Sequence, residues 1–144
     1  MKIAINIRHG GFGLSPAAVK RYAELKGNTA YFFSASGEEK YVPITLEQAE
    51  QDSWFTVFTI PNPKDIDENE LWDKHYIGRD YNRSDKDLIQ VVEELGEKAN
   101  GDMASISIIE VPDDVKWHID EYDGVEWIAE DHRCWDQDGE YGKE

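Results

Sequence analysis

The sequence predicts a single-domain α+β protein with a mixed β-sheet, two main helices and a C-terminal β-hairpin. Apolar residues recur with helical spacing at about 16–26 and 85–100, and short β-prone runs lie between and after these segments. The pair Asp123-Gly124 separates two such runs and is a strong signal for a hairpin turn. A chain of 144 residues fits one domain, which we place over 1–135.

The opening of the chain predicts a strand, a turn and a helix. Residues 2–7 alternate and are rich in isoleucine, as in a strand. Ser15 followed by Pro16 is typical of a helix start, and Gly27 of a helix end. Residues 29–34 predict a second strand, which would make the opening a right-handed βαβ unit.

The middle of the chain carries weaker patterns. We expect a short helix over 46–51 with Thr45 as its cap, and a strand over 54–60. Two prolines and several acidic residues predict a mobile loop over 61–70. Residues 72–82 are aromatic but show no period, so the sequence predicts no element there.

The second half carries the clearest helix, over 85–100, with Ser84 as the expected cap and Gly101 as the expected end. The strands expected after it span 105–111, 115–122 and 125–129. We expect residues 136–144 to form a flexible acidic tail.

Composition limits the class of protein. The single cysteine, Cys134, excludes a disulfide within the chain and fits a reducing compartment. No run approaches the roughly 18 apolar residues that a membrane span needs, and the first residues turn polar too early for a secretory signal. We therefore expect a cytoplasmic protein without membrane contact.

The net charge of −16 is unevenly distributed. Residues 1–45 carry +3, residues 46–109 carry −9 and residues 110–144 carry −10. Such a chain repels nucleic acid and anionic membranes at long range, so the favoured partner is a basic protein surface, although the charge could also serve solubility alone. The predicted partner-binding residues are Trp117, Asp120, Glu121, Asp123, Glu126, Trp127, Glu130, Asp131 and Trp135.

A glycine-rich segment suggests a different function, the binding of a phosphorylated small molecule. It lies between the first strand and the first helix, where backbone N–H groups and the helix dipole favour an anion. The predicted ligand-binding residues are Arg8, His9, Gly10, Gly11, Phe12 and Gly13, with Arg79 and Arg83 as further phosphate ligands. Two alternatives remain: the glycines form a tight turn, because neither Walker A nor the complete dinucleotide motif is present, and the two arginines pair with nearby Asp80, Asp85 or Asp87.

Catalysis has less support in the sequence. Glu130, Asp131 and His132 could in principle build a metal-dependent hydrolase, but their spacing matches no metal-binding motif. We therefore expect a non-catalytic protein without a metal or another cofactor.

Two stretches resemble a family of small acidic proteins encoded by bacteriophages and prophages. They are HGGFGLSPAAVKRYAELKG near the start and the run from LIQVVEELGEKANG to EYDGVEWIAEDHRCW. The resemblance covers about the first 27 residues and 79–135, and it transfers no functional residue. It implies a context in which small accessory proteins bind and disable a bacterial host protein or capture a host signalling molecule.

Overall fold

The computed structural model describes residues 1–34, 37–52, 54–78, 80–131, 134–136 and 139–141, the last two ranges by their backbone alone. The strands of this part are β1 (Lys2–Asn6), β2 (Tyr31–Ser34), β3 (Val42–Pro43), β4 (Phe55–Phe58), β5 (Ile106–Glu110), β6 (Trp117–Tyr122), β7 (Val125–Glu130), β8 (Cys134–Asp136) and β9 (Gly139–Tyr141). The helices are α1 (Pro16–Leu25), α2 (Leu46–Glu50), α3 (Glu68–Glu70) and α4 (Lys86–Leu95). The predicted α+β class, with one domain and two main helices, is confirmed.

The described strands form four small antiparallel sheets, so the predicted mixed sheet and βαβ opening are wrong. β1 pairs with β5, β2 lies between β3 and β4, β6 pairs with β7, and β8 with β9. The reason is that both edges of β1 already have hydrogen-bond partners. β5 occupies one edge, and on the other the Ala4 amide donates to the Arg83 carbonyl at 2.9 Å, so β2 finds no edge there.

Helix α1 begins and ends as its sequence predicts. The Ser15 hydroxyl accepts a hydrogen bond from the Ala18 amide, and Pro16 occupies the first turn. After the last turn, Gly27 adopts a φ of +79°. The predicted cap of α2 is also confirmed, because Thr45 and Gln48 form a reciprocal capping box.

Helix α4 differs from its prediction at both ends. Asp85, not Ser84, caps it and accepts from the Asp87 amide. The α-helix ends at Leu95, because the next residue, Gly96, has a φ of +57°, and a 3₁₀ turn then spans Gly96–Ala99. Gly101 therefore lies beyond the helix and does not terminate it.

The segment expected to be irregular contains short helical turns. A 3₁₀ turn spans Pro63–Asp65, and α3 continues into a π-helical turn at Leu71–His75. The side chain of Leu71 is fully buried against Phe58 and Phe33 in a small aromatic core. This burial explains the order of the segment, which its polar sequence does not indicate.

A larger core joins the two main helices to the first sheet. It collects the apolar faces of α1 and α4 and the inward residues of β1, β2 and β4, among them Ala4, Ala18, Val19, Phe32, Val57, Leu88, Val91 and Val92. No helix of the described residues is long and apolar enough to cross a membrane. Of the predicted tail, Asp136 and Gly139–Tyr141 lie in the last β-hairpin.

The predicted C-terminal hairpin is confirmed and packs its turn against the glycine-rich segment. Asp123 and Gly124 join β6 to β7 with positive φ values of 51° and 86°, as a tight hairpin turn requires. A Cβ atom on Gly124 would lie 2.4 Å from the Gly11 nitrogen and 2.6 Å from the Gly10 nitrogen. The hairpin turn therefore lies so close to the glycine-rich segment that only glycine fits at position 124.

We predict that Gly124→Ala lowers the free energy of unfolding by about 3 kcal/mol or more, because backbone cannot easily move aside for the added methyl group. Gly27→Ala is the matched control, since Gly27 also has a positive φ but no atom within 4 Å of the added Cβ. It should cost only about 1–2 kcal/mol. Urea unfolding followed by tryptophan fluorescence measures both, and equal losses would contradict the close packing at Gly124.

Candidate functional site

The buried amide of Asn6 links the glycine-rich segment to the C-terminal hairpin. Its Nδ2 donates to the carbonyl oxygens of Arg8 and, at 2.7 Å, of Gly124. Its Oδ1 accepts from the Ser105 amide at 2.8 Å, and its backbone N–H donates to Glu126 at 2.7 Å. Since a buried amide must satisfy all its polar atoms, this network fixes the relative positions of β1, β5 and the hairpin.

A bidentate ion pair between Arg83 and Glu126 anchors the hairpin from the other side. The two pairs of atoms are 2.6 and 2.9 Å apart, and the side chains are only 19% and 10% exposed. The Arg83 guanidinium also stacks on the Phe12 ring, 3.7 Å from its centroid, and donates to the Ala4 carbonyl at 3.3 Å. The prediction that Arg83 pairs with a nearby aspartate is therefore wrong, because the partner is 43 residues away.

The glycine-rich segment packs against the protein instead of framing an open anion site. Gly10 lies against Met103 and the hairpin turn, and Phe12 is enclosed by Arg83 and Tyr81. Arg8 and His9 are exposed, and the His9 ring lies 3.3 Å from a carboxylate oxygen of Asp123. Gly11 and Gly13 belong to the same segment. Arg79 lies outside the described residues, and Arg83 is already paired with Glu126. This arrangement therefore does not favour the binding of a phosphate group by the glycine-rich segment.

Strand pairing divides the hairpin into two faces. The inner face, on the side from which Glu126 reaches Arg83, carries Trp117, Ile119, Glu121, Glu126, Ile128 and Glu130. The outer face carries His118, Asp120, Tyr122, Val125, Trp127 and Ala129. Of the predicted partner-binding residues, Asp120 and Trp127 thus share the outer face, whereas Trp117 lies on the opposite one.

The outer face exposes two large aromatic side chains. Tyr122 is 75% exposed and Trp127 is 46% exposed. They are diagonal neighbours, because Tyr122 pairs with Val125 and Trp127 with Asp120. On this face Asp120 lies opposite Trp127, and the exposed Asp123 lies at the turn, whereas the exposed Glu121 and Glu130 belong to the inner face. An exposed aromatic pair beside acidic residues is typical of a protein-binding surface.

A histidine at the base of the outer face contacts two carboxylates. His118 Nδ1 contacts Asp131, and Nε2 lies 3.1 Å from Asp120. The hydrogen bond that His118 donates to the Asp131 carboxylate raises the pKa of His118 above its usual 6.5, and the charge of Asp120 adds to this effect. A neutral imidazole has one N–H, so the protonated ring alone satisfies both contacts.

The hairpin region is rich in acidic residues, and five of them contact a basic group: Asp113 the N-terminal amine, Asp120 and Asp131 the His118 ring, Asp123 the His9 ring, and Glu126 the Arg83 guanidinium. Residues 110–131 contain nine Asp and Glu but only one Lys and no Arg. Around α1 and α4, by contrast, acids pair with cations in Lys2–Glu93, Arg21–Glu94, Lys26–Asp85 and Lys26–Asp87. Pairing with Arg21 lowers the pKa of Glu94 to about 2. The hairpin region therefore keeps an excess of negative charge, whereas around α1 and α4 several acids are paired with cations.

The residues proposed for metal-dependent hydrolysis do not form a centre within the described structure. Glu130 ends β7 on the inner face, whereas Asp131 contacts His118. No group of three or more His, Cys, Asp or Glu side chains among the described residues could hold a metal ion. His132 and the side chains of Cys134 and Trp135 lie outside the described part of the chain.

Two important residues of this site were not predicted from the sequence. Asn6 interrupts an isoleucine-rich strand, and a lone polar residue at that place is a signal of a buried hydrogen-bond network. Tyr122 precedes the hairpin turn, and its register opposite Val125 places it on the outer face. That register could be derived from the Asp123-Gly124 turn, but the exposure of the face could not.

No family model, no curated protein and no solved structure matches this chain.

We predict that Glu126→Gln lowers the free energy of unfolding by about 3–5 kcal/mol, because it leaves Arg83 buried without a counter-charge. The double variant Arg83→Met/Glu126→Gln should lose less than the sum of the single variants, since it removes the unpaired charge. Glu94→Gln, at an exposed ion pair, is the control and should change stability little. Urea unfolding provides the measurement, and additive losses would contradict the anchoring role.

We predict that protonated His118 contributes stability below about pH 6.5 and that this contribution is lost as pH rises through its raised pKa. The difference in free energy of unfolding between the wild type and His118→Gln should shrink as pH rises from about 5.5 through the neutral range. The exposed His9 provides the control variant His9→Gln. A difference for His118→Gln that stays constant with pH would contradict the two carboxylate contacts.

Proposed function

We propose that this protein is a non-catalytic binding protein whose C-terminal hairpin docks on a basic surface of a partner protein. The observation that carries the proposal is the exposed pair Tyr122 and Trp127 on the outer face of an acidic hairpin. Buried aromatic side chains supply much of the energy of protein interfaces, and charged borders speed association with surfaces of opposite sign. The hairpin combines both features.

The rigid attachment of the hairpin supports the same proposal. The network of Asn6, Arg83 and Glu126 ties the inner face to the body, so the outer face is already oriented before a partner arrives. A preorganised surface loses less conformational entropy on binding than a flexible one. A two-stranded hairpin without such an anchor would be only marginally stable.

We further propose that the partner is a bacterial host protein that handles nucleic acid or acts in defence, and that binding inhibits it. The bacterial host follows from the resemblance of residues 9–27 and the C-terminal run to small acidic phage proteins, and that resemblance is itself part of the proposal. The concentration of carboxylates on the hairpin supports a partner with a basic surface, such as one that normally holds a phosphate backbone. Occupation of that surface would exclude nucleic acid.

The proposal predicts that the immobilised protein captures a basic protein from a bacterial lysate and that the hairpin variant Tyr122→Ser/Trp127→Ser fails to do so. Loss of both aromatic anchors should weaken binding about 30-fold or more. Trp54→Ser is the matched control, because Trp54 is 72% exposed outside the hairpin. The captured protein should be identified by mass spectrometry and its affinity measured with each purified variant.

Two further readouts test the electrostatic part of the proposal. Affinity should fall steeply as salt rises from about 0.05 to 0.5 M, since exposed charges are then screened. Duplex DNA should compete with the protein for the captured partner. Capture that the hairpin variant retains, or that neither salt nor DNA weakens, would contradict the proposed docking mode.

A further inference from the structure

Strand β5 uses alternate residues to pair with β1. Just outside the two ends of the ladder, the Ile7 amide donates to the Ser105 carbonyl and the Val111 amide to the Met1 carbonyl, each at 2.9 Å. Hydrogen-bonded pairs of an antiparallel ladder recur at every second residue. The odd-numbered residues of β5 therefore turn their amide and carbonyl groups toward β1, and the even-numbered residues turn theirs to the opposite edge.

The opposite edge, which we call the β5 edge, consists of the backbone groups of Ile106, Ile108 and Glu110. The Ile106 amide donates to the Asn100 side chain at 2.8 Å, which confirms that the even-numbered residues point away from β1. In the part of the chain that the structure describes, β1 is the only strand that pairs with β5, and the outward amides and carbonyls of Ile108 and Glu110 form no hydrogen bond. These groups are free to pair with another backbone.

The open part of the β5 edge is limited at both ends. At one end, the Asn100 side chain already occupies the Ile106 amide. At the other end, Pro112 has no amide hydrogen, and its carbonyl accepts from the Val115 amide at 3.3 Å. The open part therefore has the length of a short extended segment, centred on Ile108 and Glu110.

The composition of β5 does not protect this edge. Its sequence, Ile-Ser-Ile-Ile-Glu, contains three β-branched residues and neither proline nor lysine, and its register with β1 runs from Lys2–Glu110 to Asn6–Ile106 without a bulge. Natural proteins usually block an open edge with one of these devices. An open, regular edge is a template for an added strand, which here would extend the two-stranded sheet to three strands.

The charges beside the β5 edge are acidic. Glu110, Asp113 and Asp114 are exposed. Asp113 pairs with the N-terminal amine at 2.6 Å, and Lys2, the neighbour of Glu110 across the ladder, pairs with Glu93 at 2.8 Å. Among the described residues, Glu110 forms no ion pair within 4 Å. A basic side chain opposite Glu110 on an added strand would supply that counter-charge, whereas a second copy of this chain, with a net charge of −16, would be repelled.

We propose that the β5 edge binds an extended, basic peptide segment of a partner protein as an antiparallel third strand. The backbone of the segment would pair with the amides and carbonyls of Ile108 and Glu110, and a lysine or arginine would lie opposite Glu110. Main-chain hydrogen bonds provide affinity in this mode of recognition, and the side chains of the added strand provide specificity. The site is separate from the outer face of the hairpin.

The first measurement is amide hydrogen exchange of the free protein, followed residue by residue with NMR. The amides of Ser107 and Ile109, which donate to β1, should exchange at least about tenfold more slowly than those of Ile108 and Glu110. Protection of the Ile108 and Glu110 amides in the free protein would show that the edge is already occupied, by a second copy if sedimentation gives a dimer. Either case would overturn the proposal.

The second measurement adds the peptide acetyl-Lys-Val-Lys-Val-Lys-amide to the ¹⁵N-labelled protein. Binding should shift the amide signals of Ile108 and Glu110 and slow their exchange, in the wild type and equally in Tyr122→Ser/Trp127→Ser. The same peptide N-methylated at two adjacent residues keeps its charges but carries a methyl group on each edge, so it should bind at least about tenfold more weakly. Equal binding of both peptides, no response at these amides, or a response lost in the hairpin variant would refute the site.

Substitutions of Glu110 separate the backbone contribution from the charge. Glu110→Pro removes an outward amide that does not donate to β1, so it should abolish the peptide response at Ile108. Continued protection of Ser107 and Ile109 shows that the ladder is intact in this variant. Glu110→Gln should weaken peptide binding about threefold or more at low salt, whereas Glu24→Gln, at an exposed carboxylate on α1, should leave it unchanged. Undiminished affinity in both Glu110 variants would contradict the proposal.

Discussion

The ion pair of Arg83 with Glu126, joined to the buried amide of Asn6, connects segments that lie more than 40 and more than 110 residues apart in the chain. A charge removed from water must find its counter-charge and its hydrogen bonds, and here each partner has both. Because Glu126 has to reach Arg83, its face of the hairpin turns inward. The exposure of Tyr122 and Trp127 on the other face follows from the alternation of side chains along a strand.

The same constraint gives the glycine-rich segment its shape. The backbones of Gly10 and Gly11 lie against Gly124 so closely that no side chain fits between them. Phe12 covers the Arg83 guanidinium and shields the ion pair from water. These glycines thus allow close packing, which is a common reason for glycine at a turn. The hairpin depends on them for its contact with the rest of the protein.

Electrostatics separates the protein into two regions. Around α1 and α4, several carboxylates pair with cations locally. At the hairpin, acids exceed cations, and the buried Glu126 is compensated by Arg83, whereas Glu121 and Glu130 are exposed. A surface of that kind attracts basic partners over distances near the Debye length.

Local patterns in the sequence determined the elements that short-range physics controls. The apolar spacing of Leu88, Val91 and Val92, the cap at Ser15 and the turn at Asp123-Gly124 each depend on a few neighbouring residues, so they could be predicted. The exact helix ends were less certain, because Ser84 and Asp85 both make acceptable caps. Charge totals also follow from the sequence, but their distribution in space does not.

Tertiary structure alone decided which distant segments meet. Whether β1 pairs with β2 or β5 depends on which edge is free after the chain has collapsed, and nothing near β1 in the sequence specifies it. The partner of Arg83, the exposed face of the hairpin and the meeting of Trp72 with Phe58 are set in the same way, by burial and charge compensation across the whole fold. The sequence by itself determined what each segment could form, and packing determined which side chains remained exposed, because burial is a property of the assembled chain.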